Sequence, residues 1–178
     1  MNRTLTTSIC LTMLLAFTST QAWDPKGKDD DIAKGQAAID ALLESDSTMQ
    51  RYFDAAAGYV VIPTVGKAGL GIGGARGKGL LYENGAPTAE VTMTQLSIGF
   101  QWGGQAYSEF VFFENSASLE HFKKGNYELG AQASAVAITA GASVDAGYES
   151  GVAIFTLAKG GLMYEAAVGG QKFKVKGL

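Results

Sequence analysis

His121 and Cys10 are the only histidine and the only cysteine in the chain, and they limit its chemistry sharply. A zinc site draws three or four ligands mainly from these two residue types, so one of each cannot build a typical centre. His121 lies between Glu120 and Phe122 in a short polar-apolar alternation. No serine sits in a G-x-S-x-G elbow that would give it a nucleophile to activate. It is read as an exposed residue of a short helix. Asp29, Asp30 and Asp31 are contiguous, whereas a calcium loop needs oxygen ligands at alternate positions around a glycine turn. They read as charges near a helix N-terminus. Gly69 to Gly74 fits G-x-G-x-x-G, but a dinucleotide fold requires a helix to open there. Here Arg76, Gly77 and Gly79 lead into another strand. Gly77-Lys78 lacks the earlier glycine and following Ser or Thr of a phosphate loop. No catalytic residue, metal ligand or cofactor is therefore assigned.

Cations are the remaining polar signal. Lys67, Arg76 and Lys78 flank the glycine-rich stretch, and Lys123 and Lys124 end the short helix. These five are the candidate contacts for an anionic lipid head group or membrane surface. Lys172, Lys174 and Lys176 alternate with Phe173 and Val175, which puts all three lysines on one face of a strand. Such a face is ordinarily a solvated one that blunts a sheet edge, the functional reading being a patch for anionic head groups. The formal net charge of −3 argues against a general nucleic-acid binder, which needs a basic field.

These residues must be positioned by the stretch Phe53–Phe113, a series of short apolar strands. Gly69, Gly71 and Gly73 are spaced by two, so one strand face is bare while Ala68, Leu70 and Ile72 occupy the other. A bare face admits close approach of a backbone, helix or ligand. Gly69, Gly71, Gly73, Gly74, Gly99 and Gly103 are assigned this close-packing role. Strands are expected at Tyr59–Ile62, Ala68–Ala75, Lys78–Tyr82, Glu90–Gln101 and Ser108–Phe113, with Asn84-Gly85 as a hairpin turn. Further strands are expected at Tyr127–Ala140, Ala142–Tyr148, Val152–Leu157, Leu162–Val168 and Phe173–Val175. Ile32, Ile39 and Leu43 define an amphipathic helix over Ile32–Leu43. A second helix runs from Thr48 to Ala57 with Gly58 as its C-terminal cap, and Asn115 or Ser116 caps a short helix over Ala117–Lys124 that Gly125 ends. The fold class is α+β: N-terminal helices packed on a curved, mostly antiparallel, barrel-like sheet, in one domain over residues 32–178.

The N-terminus reads as a cleavable export signal. Arg3 supplies the positive region, Ile9–Phe17 the apolar region, and Thr20-Gln21-Ala22 the small-residue cleavage site. Cleavage after Ala22 removes Cys10 and Arg3, so the remainder is cysteine-free and slightly more acidic. Ile9 before Cys10 does not fit a lipoprotein signal. A loose polar lead-in is expected over residues 23–31, and the expected location is periplasmic or secreted.

The segments Ala55–Gly85, Ser97–Asn115, AQASAVAITAGA and FTLAKGGLMYEAAVGGQKF together resemble the SYLF-domain family, most closely its bacterial exported branch. The resemblance runs from the first helix to Val175. It implies a lipid-binding module; eukaryotic members favour phosphoinositides, and some also bind actin filaments. Their phosphoinositide contact is attributed to a basic amphipathic N-terminal segment. The corresponding Asp29–Glu44 is acidic on balance, with Lys34 the lone cation inside it. Actin is absent from a periplasm, so no actin partner is expected. The resulting expectation is a non-enzymatic lipid- or membrane-associating module of the bacterial cell envelope; the alternative is a structural or protein-interaction domain there.

Overall fold

The computed structural model describes residues 25–99, 105–130, 133–138, 146–159 and 166–178. The expected export signal, its cleavage site and Gly103 lie outside these residues, as do parts of the strands expected at Ala142–Tyr148 and Leu162–Val168.

The described residues form an α+β fold. Helix α1 (Pro25–Ser45) opens the chain, followed by a 3-10 turn (Ser47–Met49) and α2 (Gln50–Ala55). Strands β1 (Gly58–Glu83), β2 (Ala86–Gly99) and β3 (Gln105–Phe113) precede α3 (Ser116–Lys123). Then come β4 (Tyr127–Glu128), β5 (Ser134–Ala137), β6 (Val152–Ala158), β7 (Ala166–Ala167) and β8 (Lys172–Gly177). One sheet has the order β4-β8-β2-β1-β3-β6-β5-β7. Its pairings are antiparallel except for β5 with β6.

Alternation of side chains sorts the core into two clusters. Val60, Ile62 and Leu81 of β1, Val111 and Phe113 of β3, and Val152 and Ile154 of β6 share one face with Val91, Met93, Phe173 and the α3 residues Leu119 and Phe122. Val61, Leu80 and Tyr82, Phe110 and Phe112, and Ala153 and Phe155 face the other way, onto Ala38, Ile39 and Leu42 of α1 and Met49 and Tyr52. Strands β1, β3 and β6 are therefore buried on both sides. That is why Phe110–Phe113 and Val152–Phe155 read as continuous apolar runs. Strands β2 and β8 are covered on one side only, and alternate polar and apolar residues accordingly.

The boundaries differ from the sequence reading in instructive ways. Three expected strands between Tyr59 and Tyr82 are one continuous β1. Gly73-Gly74, a dipeptide that could turn, stays extended in the ladder opposite Ser97 and Leu96. Pro63 marks a register shift against β3 between Ile62 and Val65, because proline cannot donate to the ladder. Gly58 does not cap α2: Ala56 closes that helix in an extended conformation and Gly58 begins β1. Helix α1 begins at Pro25, ahead of Ile32, and takes in Asp29–Asp31. Asn84 and Gly85 adopt φ of 51° and 77°, the left-handed pair a tight hairpin requires, and join β1 to β2. Asn115 caps α3, its Oδ1 accepting the Ser118 N–H at 3.0 Å, and Gly125 ends it at φ 79°.

Among the glycines of β1 whose surroundings are described, Gly77 and Gly79 show the close approach that alternate glycines permit. The two halves of β1 run against each other. A Cβ on Gly79 would lie 2.0 Å from the Val61 carbonyl oxygen, and one on Gly77 2.5 Å from Ile62 Cγ2. Both continue the odd-numbered phase of Gly69, Gly71 and Gly73. A Cβ on Gly74 would stand 3.5 Å from the Gln95 carbonyl, an ordinary contact. Gly71 and Gly99 are directly paired across β1 and β2.

Candidate functional site

The outward face of β1, β2 and β8 gathers positive charge. Register sets its rows: Arg76 opposite Thr94 opposite Lys172, Lys78 opposite Thr92 opposite Lys174, and Leu80 opposite Glu90 opposite Lys176. Their chain neighbours Ala75, Gly77, Val91, Met93 and Phe173 are buried in the core, so the alternation turns the charged set outward. Arg76, Lys78, Lys172, Lys174 and Lys176 are all exposed. Glu90 lies within the field, and Glu128 reaches Lys172 at its edge, 3.3 Å away. Continuing along β2 from Thr92 and Thr94, the next outward residue is Leu96. It is 86% exposed, the most exposed large apolar side chain among the described residues. A cationic field bordered by an exposed leucine suits a surface that is anionic outside and apolar beneath.

Helix α1 closes one side of this face. A cleft of about 360 Å³ lies between it and the sheet, lined by Asp31, Lys34, Pro63, Thr64, Lys78 and Glu90 among others. Lys34 is ion-paired with Asp30, four residues earlier on the helix. That hydrogen bond, followed by the charge of Asp30, raises the lysine's pKa.

The five candidate cations from the sequence do not form one cluster. Arg76 and Lys78 sit together in the rows above. Lys67 belongs to the ladder between β1 and β3, opposite Gln105. Lys123 and Lys124 are on and just after α3. Lys123 is held by Glu120 at 2.9 Å and Glu83 at 3.1 Å, and these two bonds raise its pKa. Glu83 is in turn lowered, first by the Thr88 hydroxyl that donates to it at 2.7 Å and then by Lys123. Lys123 thus fastens α3 to the end of β1. The β8 lysines join Arg76 and Lys78 only because β2 pairs with both strands. Sequence alternation reveals each strand's charged face, but not that β2 lies between them.

His121 is exposed on α3, its ring edge-on to Tyr127 with centroids 5.5 Å apart. It shares a shallow depression with Ser118 and Ser150. The Ser118 Oγ is turned to Asn115 Oδ1 at 3.3 Å, and Glu120 is engaged by Lys123. No carboxylate hydrogen-bonds His121 among the described residues, so no relay for nucleophile activation is assembled there. No cluster of three or more metal-ligating side chains occurs among the described residues. No helix among them is long and apolar enough to cross a membrane.

A second polar group lies inside the core. Glu109 of β3 is fully buried. Gln171, also fully buried, donates from Nε2 to Glu109 Oε2 at 2.9 Å. Burial pushes the Glu109 pKa up to about 7, with Gln171 and Tyr107 acting in the opposite sense. Tyr107 is itself raised, chiefly by burial and then by the Glu109 charge.

Residues 94–177 match the model of a family described as Ysc84, Las17-binding protein actin regulator. The matched stretch runs from the middle of β2 through β8 and so includes Thr94, Leu96 and the three β8 lysines. No curated protein matches the chain.

Proposed function

We propose that this chain, whose residues 94–177 match the Ysc84 (SYLF) family model, is a non-enzymatic module that associates with anionic lipid or membrane surfaces of the bacterial cell envelope. The observation that carries this reading is the outward face of β1, β2 and β8, where five cations surround two threonines next to exposed Leu96. Phosphates would be met by Arg76, Lys78, Lys172 and Lys174, while Leu96 enters the interface. Each cation brought near an anionic surface contributes on the order of 1 kcal/mol. Lys67, Lys123 and Lys124 are outside this contact. Export of the chain, read from its first 22 residues, sets the compartment and leaves actin out of reach.

The test is vesicle flotation with phosphatidylglycerol-rich and with pure phosphatidylcholine vesicles. The expected result is binding to the anionic vesicles that weakens as salt rises. The combined variant Arg76→Glu, Lys78→Glu, Lys174→Glu should weaken it by roughly a hundredfold. Lys123→Glu with Lys124→Glu should leave it unchanged. Absence of binding to anionic vesicles, or full binding by the triple variant, overturns the assignment. A stable lipid-independent protein complex would instead favour a protein-interaction domain.

A further inference from the structure

The pair formed by Glu109 and Gln171 leaves two oxygens unaccounted for. Gln171 Nε2 donates to Glu109 Oε2, but Glu109 Oε1 and Gln171 Oε1 are both buried and neither has a hydrogen-bond partner of its own among the described residues. Each is an acceptor, and an unsatisfied buried acceptor is costly. When a carboxyl and a primary amide bonded through one N–H···O contact lie in one plane, their second oxygens come side by side. A single hydrogen on the carboxyl oxygen would satisfy both at once.

We propose that Glu109 is held protonated, its Oε1–H donating to Gln171 Oε1, and that this cyclic acid–amide pair is a pH-sensitive latch between β3 and the turn that leads into β8. Tyr107, two residues earlier on the same strand, is the titratable neighbour: its hydroxyl bonds to Glu109 and Gln171 and favours the ionised carboxylate, against the larger effect of burial. The residues directly opposite Glu109 are uncharged: Ile62 on β1 and Thr156 on β6. Inward from β2, Gln95 is engaged with the Gly169 carbonyl at 3.1 Å. Among the described residues no cation reaches Glu109 to stabilise its ionised form. The upward shift to about 7, caused first by desolvation, agrees with this environment.

Loss of the proton would disturb more than one bond. Gln171 accepts from Leu129 N–H at 2.9 Å through its backbone carbonyl, and its own N–H donates to Val168 O at 3.1 Å. It therefore fixes both the Val168–Lys172 turn and the segment after β4. Lys172, the first residue of β8 and a member of the cationic face, follows it directly. Above neutral pH the ionised Glu109 confronts Gln171 Oε1 with no hydrogen between them, and of the pair only the Nε2–H···Oε2 bond still holds the turn before β8. The latch stands apart from the membrane reading; only its consequence for the cationic face rests on it.

The test is urea unfolding of the full chain across pH 5 to 9, with Glu109→Gln alongside. An amide at 109 donates to Gln171 Oε1 at every pH, so the variant keeps both bonds and loses the proton. For the wild type the folded state binds the extra proton, so stability is present at acid pH and is lost as pH rises toward and through about 7. The folding equilibrium constant should fall by up to roughly tenfold per pH unit in that window. Glu109→Gln should lack that fall, and carbon-13 NMR of the wild-type Glu109 carboxyl should give a midpoint near neutrality. A wild-type slope retained in Glu109→Gln, or a Glu109 carboxyl titrating in the ordinary acidic range, overturns the proposal. The NMR arm decides the matter even if the variant does not fold. Vesicle binding is read separately, at fixed pH below 6: a chain that fails to bind there refutes the membrane reading and leaves the latch standing.

Discussion

Replacing Gly79 with alanine is the sharpest perturbation of the fold that the structure offers. The added methyl would stand 2.0 Å from Val61 O and 2.8 Å from Ile62 Cα, where contacts under 3.0 Å are essentially never found. Neither obstacle is a side chain that can rotate away. Val61 is paired with Phe110 across the β1–β3 ladder, and Ile62 is fully buried. The two halves of β1 would have to part by about 1 Å, and the ladder to β3 would have to move with them. Overpacking that side chains can absorb costs about 1–3 kcal/mol. A backbone obstacle puts Gly79→Ala at or above that range, about 3–5 kcal/mol. Gly77→Ala meets a side-chain methyl at 2.5 Å and should cost about 1–3 kcal/mol. Gly74→Ala makes an ordinary contact and should be nearly neutral. Gly66→Ala meets nothing within 4 Å, so it should stabilise by roughly 0.5 kcal/mol by restricting the unfolded chain. Urea unfolding midpoints with matched slopes give the four values. If Gly79→Ala fell within about 0.5 kcal/mol of Gly66→Ala, the close crossing of the two halves of β1 would be refuted.

Asn115→Ala removes the acceptor for the Ser118 N–H and should cost about 1 kcal/mol in the same unfolding assay, with Asn115→Asp restoring most of it. Tyr52→Phe deletes the hydroxyl that donates to Ala146 O at 2.6 Å, inside a buried aromatic cluster with Phe112 and Phe155. It should destabilise by about 1–2 kcal/mol and loosen the segment around Ala146, seen as faster amide hydrogen exchange there.

What the sequence made legible was what local chemistry decides. Asn84-Gly85 needed only its own left-handed preference to turn, and Asn115 with Gly125 bounded α3 from residue type alone. The α+β class followed from helical periodicity ahead of many alternating strands. What stayed hidden was set by partners distant in the chain. One continuous β1 results because its halves bend around each other at Gly77 and Gly79, and glycine spacing does not say where along a strand the bend falls. Glu109 sits in the run Ser108–Phe113, where nothing local marks it as buried; Gln171, 62 residues away, supplies its partner. The candidate cations were gathered by nearness in sequence to the glycine strand. The register of β2 regroups them, keeping Arg76 and Lys78 with the β8 lysines and leaving Lys67, Lys123 and Lys124 elsewhere.

The place of β2 also determines what the charged face costs. Like charges directly opposite on paired strands destabilise a sheet. Here Thr92 and Thr94 separate Lys174 from Lys78 and Lys172 from Arg76. Two strand spacings set each pair of backbones about 10 Å apart, where unit charges repel by roughly 0.4 kcal/mol in water before salt screening. The face is therefore nearly neutral for folding, and reversing its charges should move stability by no more than about 0.5 kcal/mol per site. Glu109 has the opposite character, since it touches no surface and acts through the packing of β3 and β8. Outward substitutions should thus change vesicle binding at constant unfolding midpoint. The fall in stability toward and through about pH 7 should vanish in Glu109→Gln without altering affinity at acid pH. A triple charge reversal that lost binding and stability together would mean that the outward residues support the fold, and the loss of binding would then carry no information about the surface that contacts lipid.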